Sequence, residues 1–79
     1  MKTYYYFTTR GPTFDEITKG FFSLEKDHRD HWIVELHNKR AYLLVEDRDV
    51  LGISMYGCDN MKDIVDAFNS LGFTLQQGD

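Results

Sequence analysis

HWIVELHNKRAYLLVEDRDVLGISMY, residues 31–56, carries three runs of β-forming residues separated by two clusters of turn formers. In the first run Trp32, Val34 and Leu36 alternate with Ile33, Glu35 and His37, the period-2 pattern of a strand with two unlike faces. Asn38-Lys39 predicts a tight turn, because asparagine tolerates the left-handed conformation. Ala41–Glu46 is apolar on both faces and suits a central strand. Asp47-Arg48-Asp49 turns the chain again. From Val50 to Tyr56, Leu51, Ile53 and Met55 alternate with Val50, Gly52, Ser54 and Tyr56. Three strands joined by short turns make an antiparallel meander.

Outward from this meander, the flanks supply helices. Thr3–Thr9 is another β-rich run, ended by Gly11-Pro12. Thr13 and Glu16 stand at the spacing of a capping box. Phe14, Ile17, Phe21 and Leu24 follow at helical intervals and predict a helix through Leu24, although Gly20 within it costs about 1 kcal/mol against alanine. The alternative is a short helix ending at Gly20 with Phe21–Lys26 as a strand. Downstream, Asp59 or Asn60 caps a second helix whose Met61, Ile64, Val65, Phe68 and Leu71 share one face, with Asp63 in the first turn. Gly72 is placed to close it in a Schellman motif that brings Phe73 toward Phe68, and Phe73–Gln76 can add an edge strand. The order is β-α-β-β-β-α-(β). We expect one α+β domain over residues 1–79: an antiparallel sheet of four to five strands with two amphipathic helices on one face.

Size and composition restrict what such a domain does. With 79 residues, the core supplies only about 3–5 kcal/mol, which leaves little for a strained or unpaired polar active site. One cysteine, Cys58, cannot form an internal disulfide, so the chain reads as a protein of a reducing compartment, the cytoplasm. Behind Lys2 there is no long apolar run, so the start is not read as a signal peptide, and no stretch approaches a membrane span. The net charge is −4 and uneven: residues 1–40 carry seven Lys/Arg against six Asp/Glu, residues 41–79 two against seven. A net negative chain lacks the long-range attraction that holds proteins on phosphate backbones.

Several constellations invite chemistry, and each has a plainer reading. His28 and His31, flanked by Asp27 and Asp30, are two of the four ligands a zinc site needs, and no second pair completes them. Cys58 before a helix lacks the base and orienting group of a nucleophile. Arg10-Gly11-Pro12-Thr13 precedes a helix, but a phosphate cradle uses several glycines and free N–H groups. Glu46, Asp47 and Asp49 form an acidic turn with too few oxygens for calcium. We therefore expect no cofactor, no metal and no catalytic residues.

The aromatic alternation carries more weight. If helices cover the face bearing Tyr5, Phe7, Trp32, Val34, Leu36, Leu51, Ile53 and Met55, the other face shows Tyr4, Tyr6, Ile33 and Tyr56, with Tyr42 joining one or the other. Such a face suits a protein partner, a second copy of the chain, or stacked nucleic-acid bases, the last opposed by Glu35 and Glu46. The expectation is a non-enzymatic interaction protein that blocks or regulates another protein. One such class is the acidic inhibitors of nucleic-acid enzymes, phage anti-restriction or anti-CRISPR proteins by class analogy. Its candidate contacts are Tyr4, Tyr6 and Tyr56 with Glu46, Asp47, Asp49, Asp59, Asp63 and Asp66. The alternative is a single-stranded nucleic-acid binder that stacks bases on the tyrosines, with Arg10, Lys39 and Arg40 on the phosphates.

Overall fold

In the computed structural model, which describes residues 2–20, 22–56 and 61–78, the elements are β1 (Lys2–Phe7), α1 (Phe14–Lys19), β2 (Ser23–Lys26), β3 (Trp32–Leu36), β4 (Lys39–Glu46), β5 (Asp49–Tyr56), α2 (Met61–Ser70) and β6 (Leu75–Gly78). They form an α+β fold with one antiparallel sheet in the order β2-β3-β4-β5-β1-β6. The sheet has six strands where four to five were expected. The strand beyond that number is β2, at one edge; β6, at the other, stands close to the edge strand expected over Phe73–Gln76.

β2 corrects the reading of the first helix. The stripe of Phe14, Ile17, Phe21 and Leu24 predicted a helix through Leu24, yet α1 stops at Lys19. The Gly20 N–H donates to the Ile17 carbonyl at 3.2 Å, tightening the last turn. A Cβ at Gly20 would stand 2.7 Å from Leu71 Cδ1, so the chain leaves the helix where α1 meets the end of α2. Phe22 then stacks on Phe68 at 4.3 Å, and Leu24 pairs with Val34 as a strand residue. The start of α1 follows its sequence signal. Thr13 Oγ1 accepts from the Glu16 N–H at 3.1 Å, and the Thr13 N–H donates to Glu16 Oε1 at 2.9 Å.

Left-handed residues make the hairpins. His37 and Asn38 have φ of 51° and 67°, the pair that a type I′ turn demands, so this turn falls one residue before Asn38-Lys39. Lys39 instead begins β4, opposite Leu36. Asp47, at φ 56°, turns β4 into β5. Between β2 and β3 the Asp27 carboxylate accepts from the N–H groups of Arg29 and His31 at 2.8 and 2.9 Å, and Asp30 takes φ 63°. These amides, His31 first, hold the Asp27 carboxyl below the usual aspartate range.

The α2 terminus closes as its sequence predicts. The Phe73 N–H donates to the Phe68 carbonyl and the Gly72 N–H to that of Asn69, both at 3.0 Å, with Gly72 at φ 94°. The core lies between the helices and one sheet face. Ile17, Val34, Ile53, Ile64 and Phe68 are fully buried there, and Phe7 meets Phe68 and Phe73 edge-on at 5.3 and 6.2 Å. Leu51, expected among them, is 41% exposed. Leu44 pairs with Gly52 but Val45 with Val50, so Leu51 is the extra residue of a β-bulge and is turned out of the alternation. Among the described residues no helix is long and apolar enough to cross a membrane.

Candidate interaction surface

Strand register decides what the second sheet face displays. Tyr4 pairs with Ser54 and Gly78, Tyr42 with Ser54 and Ile33, and Ile33 with Glu25. One row therefore crosses all six strands: Glu25, Ile33, Tyr42, Ser54, Tyr4, Gly78. Lys2 and Tyr6 flank Tyr4 on β1, while Arg40 and Leu44 flank Tyr42 on β4. Neither helix packs on this side, since α1 and α2 bury their apolar residues in the core opposite.

Aromatic rings and a cation organise the middle of the row. The Tyr4 and Tyr6 rings lie side by side at 6.5 Å and 9°. Lys2 Nζ stands 5.6 Å from the Tyr4 ring centroid and 5.7 Å from that of Tyr42, within cation–π range of both. Tyr42 also meets the His31 ring edge-on at 6.0 Å. Tyr6 is 40% exposed, whereas Tyr4 and Tyr42 are half-buried by their neighbours. Tyr6 leans over the edge strand: a Cβ at Gly78 would stand 2.4 Å from its ring.

The face is less open than the alternation implied. Ile33, expected on display, is only 6% exposed although it lies opposite the main core. Arg40 pairs with Glu25 across β3 on this face, and Tyr42 adjoins Ile33 in its row. These long side chains shield it. Ser54, between the Tyr4 and Tyr42 positions, is fully buried, and its Oγ has no hydrogen-bond partner among the described residues.

The acidic residues do not converge. Glu46, Asp47 and Asp49 are exposed at the β4–β5 hairpin, at one end of the tyrosine face. Asp63, on α2, pairs with Lys39 at the opposite end of β4, about 23 Å away at ~3.3 Å per strand residue. Asp66 is exposed on the same helix. Asp59 lies outside the described residues, as does Cys58. Tyr56 pairs in backbone with Lys2, which puts its position in the Lys2–Arg40 row; its side chain is outside the described set.

The remaining sequence suspects are occupied by local structure. Arg10 forms a two-pronged pair with Glu16 at 3.0 and 3.3 Å instead of offering itself to an anion. Arg10, with the Thr13 N–H, holds the Glu16 carboxyl down to about 2. His31 Nδ1 lies 3.7 Å from Asp27, whose other oxygen already serves two backbone amides. Among the described residues no three His, Cys, Asp or Glu side chains gather as metal ligands would. Sequence reading passed over Ser54, Lys2 and Arg29. A serine inside an apolar strand was the available signal, but only the register shows it lying between two tyrosines. The comparisons add no relative: no family model matches this chain, and neither curated proteins nor solved structures give a match.

Proposed function

We propose that this chain is a non-enzymatic interaction protein that lays its helix-free sheet face on another protein and thereby blocks or regulates it. The observation that carries this reading is the gathering of Tyr4 and Tyr42 around Lys2, with Tyr6 beside Tyr4, on the sheet face opposite both helices. Tyrosine offers a large apolar area with a polar tip at low entropic cost, which makes it a frequent interface anchor. The acidic hairpin at the end of this face, Glu46-Asp47-Asp49, suits a basic partner surface and would chiefly raise the association rate. That is the form in which an inhibitor of a nucleic-acid-binding protein fits. It uses the three hairpin acids, while Asp63 and Asp66 stand apart on α2.

The test is affinity capture from the native host with wild-type bait beside the Tyr4→Ala/Tyr6→Ala double variant. Loss of a specific captured protein by at least about tenfold is expected, the size of a hot-spot truncation. Equal capture by the two baits removes the face from the account. Reversing Asp47 and Asp49 to lysine should slow association and leave the fold intact; unchanged association would remove the hairpin.

A second reading, base stacking on single-stranded nucleic acid, is favoured by the parallel Tyr4 and Tyr6 rings beside a lysine. Glu25, Glu35 and Glu46 on the same face oppose it by repelling phosphate. Titration with oligonucleotides at low salt separates the two readings, since a stacking platform binds best there.

A further inference from the structure

Beside the tyrosines, the helix-free face sinks into a cleft of about 340 Å³ whose lining includes Lys2, Arg29, Asp30, His31, Tyr42 and Ser54. One feature of it is unexplained by folding. Burying a hydroxyl without a hydrogen-bond partner is costly, yet Ser54 holds its Oγ unpartnered in the cleft wall. Cationic and N–H-bearing side chains also converge here from separate elements: Lys2 from β1, Arg29 and His31 from the β2–β3 loop. Arg29 reaches its loop neighbour Asp27 only at 3.9 Å and is 60% exposed, so its guanidinium retains donors for a ligand. Among the described residues of the lining, Asp30 is the one carboxylate.

We infer that this cleft is a carboxylate-binding pocket, which receives an aspartate or glutamate side chain presented by the protein partner. The inference rests on the protein-binding reading above and specifies what that partner must offer. Charge complementarity selects the occupant. The lining is rich in donors, but its surroundings are acidic, with Glu46, Asp47 and Asp49 on the hairpin at the same end of the sheet. A single carboxylate can enter such a spot. A polyphosphate backbone would meet the flanking acids. Arg29 would bind the carboxylate by charge, and a small side-chain shift in the cleft wall would let Ser54 Oγ donate to it.

Amide chemical shifts of the 15N-labelled full chain, titrated with acetyl-Gly-Glu-Gly-amide, test this. Saturable shifts centred on Ser54, Tyr42 and His31 are expected, with affinity on the order of millimolar for so small a probe. Acetyl-Gly-Gln-Gly-amide should bind at least about tenfold more weakly, and Arg29→Gln should weaken the glutamate probe by about tenfold. Ser54→Ala is the discriminating variant: the thermal midpoint should hold or rise, while affinity for the glutamate probe falls. Equal responses to the two peptides would overturn the proposal, as would a Ser54→Ala chain that melts lower and binds the glutamate probe unchanged. Tighter binding of a short oligothymidylate than of the peptide would overturn both this pocket and the protein-partner reading. Absence of a glutamate response, with partner capture still dependent on Tyr4 and Tyr6, would remove the pocket alone.

Discussion

On one side of the sheet Phe7, Phe68 and Phe73 meet edge to face in a dry interior; on the other, Tyr4 and Tyr6 lie ring beside ring next to water. Both faces come from the same strands, one residue out of phase. The covered face satisfies itself, with apolar side chains from two helices and six strands filling one cluster. The uncovered face uses long polar side chains to shield what little is apolar, as the Arg40–Glu25 pair does for Ile33, and still leaves a buried hydroxyl without a partner. One side holds the chain together, and the other is the side to which we assign recognition as a proposal.

That contrast is most easily broken at Phe68, which is fully buried and touches Phe7 and Phe22. Phe68→Ala should cost about 3–5 kcal/mol, comparable to the stability expected of so small a core, and a urea melt should find the variant largely unfolded. Tyr6→Ala, on the open face, should move the same melt by less than about 1 kcal/mol. Ser54→Ala reverses the usual sign. Removing a buried, unpartnered hydroxyl should stabilise the fold by roughly 1 kcal/mol or more, whereas serine-to-alanine changes at satisfied sites destabilise. A lower melting point for Ser54→Ala would mean that the hydroxyl is satisfied in solution.

Smaller effects belong to the α1 cap. Thr13→Ala should cost about 1 kcal/mol in the same melt, because the Glu16 N–H loses its acceptor. Glu16 adds a pH dependence of defined sign. Its carboxyl titrates at about 2 in the fold against 4.5 for the free group, so its contribution is complete above 4.5 and is lost as the pH falls from there through 2. Arg10→Gln should flatten that part of the acid stability profile; a profile identical to wild type would show that the pair contributes nothing in water.

Much of this arrangement was legible in the residues because local signals and global fold agree. Thr13–Glu16 capped α1 and Gly72 closed α2 by mechanisms that need only neighbours in sequence. The alternation of Tyr4 and Tyr6 against Tyr5 and Phe7 assigned the first strand's faces. Where local signals were double-valued, long-range contacts decided. Phe14, Ile17 and Leu24 fit a helix stripe, yet pairing with β3 drew Leu24 into a strand. Leu51 followed the alternation on paper, and a single extra residue in β5 turned it outward. The acidic set looked like one patch because its members crowd the second half of the chain. Glu46 and Asp63 were separated by the length of β4 and by where α2 docks, and only the docking of α2 was beyond the sequence. The cleft was illegible for a related reason: Lys2, Arg29 and Ser54 are far apart along the chain and meet only through sheet order.

Tyrosine footprinting tests the central claim most directly. Mild nitration of the free chain and of its complex with the captured partner, read by peptide mass, reports which rings each state exposes. Tyr6 should react when the chain is alone and be protected by at least severalfold in the complex, with Tyr5, on the helix-covered side, the same in both. A complex in which Tyr6 reacts as freely as in the isolated chain would contradict the account, because the partner would then be sitting elsewhere.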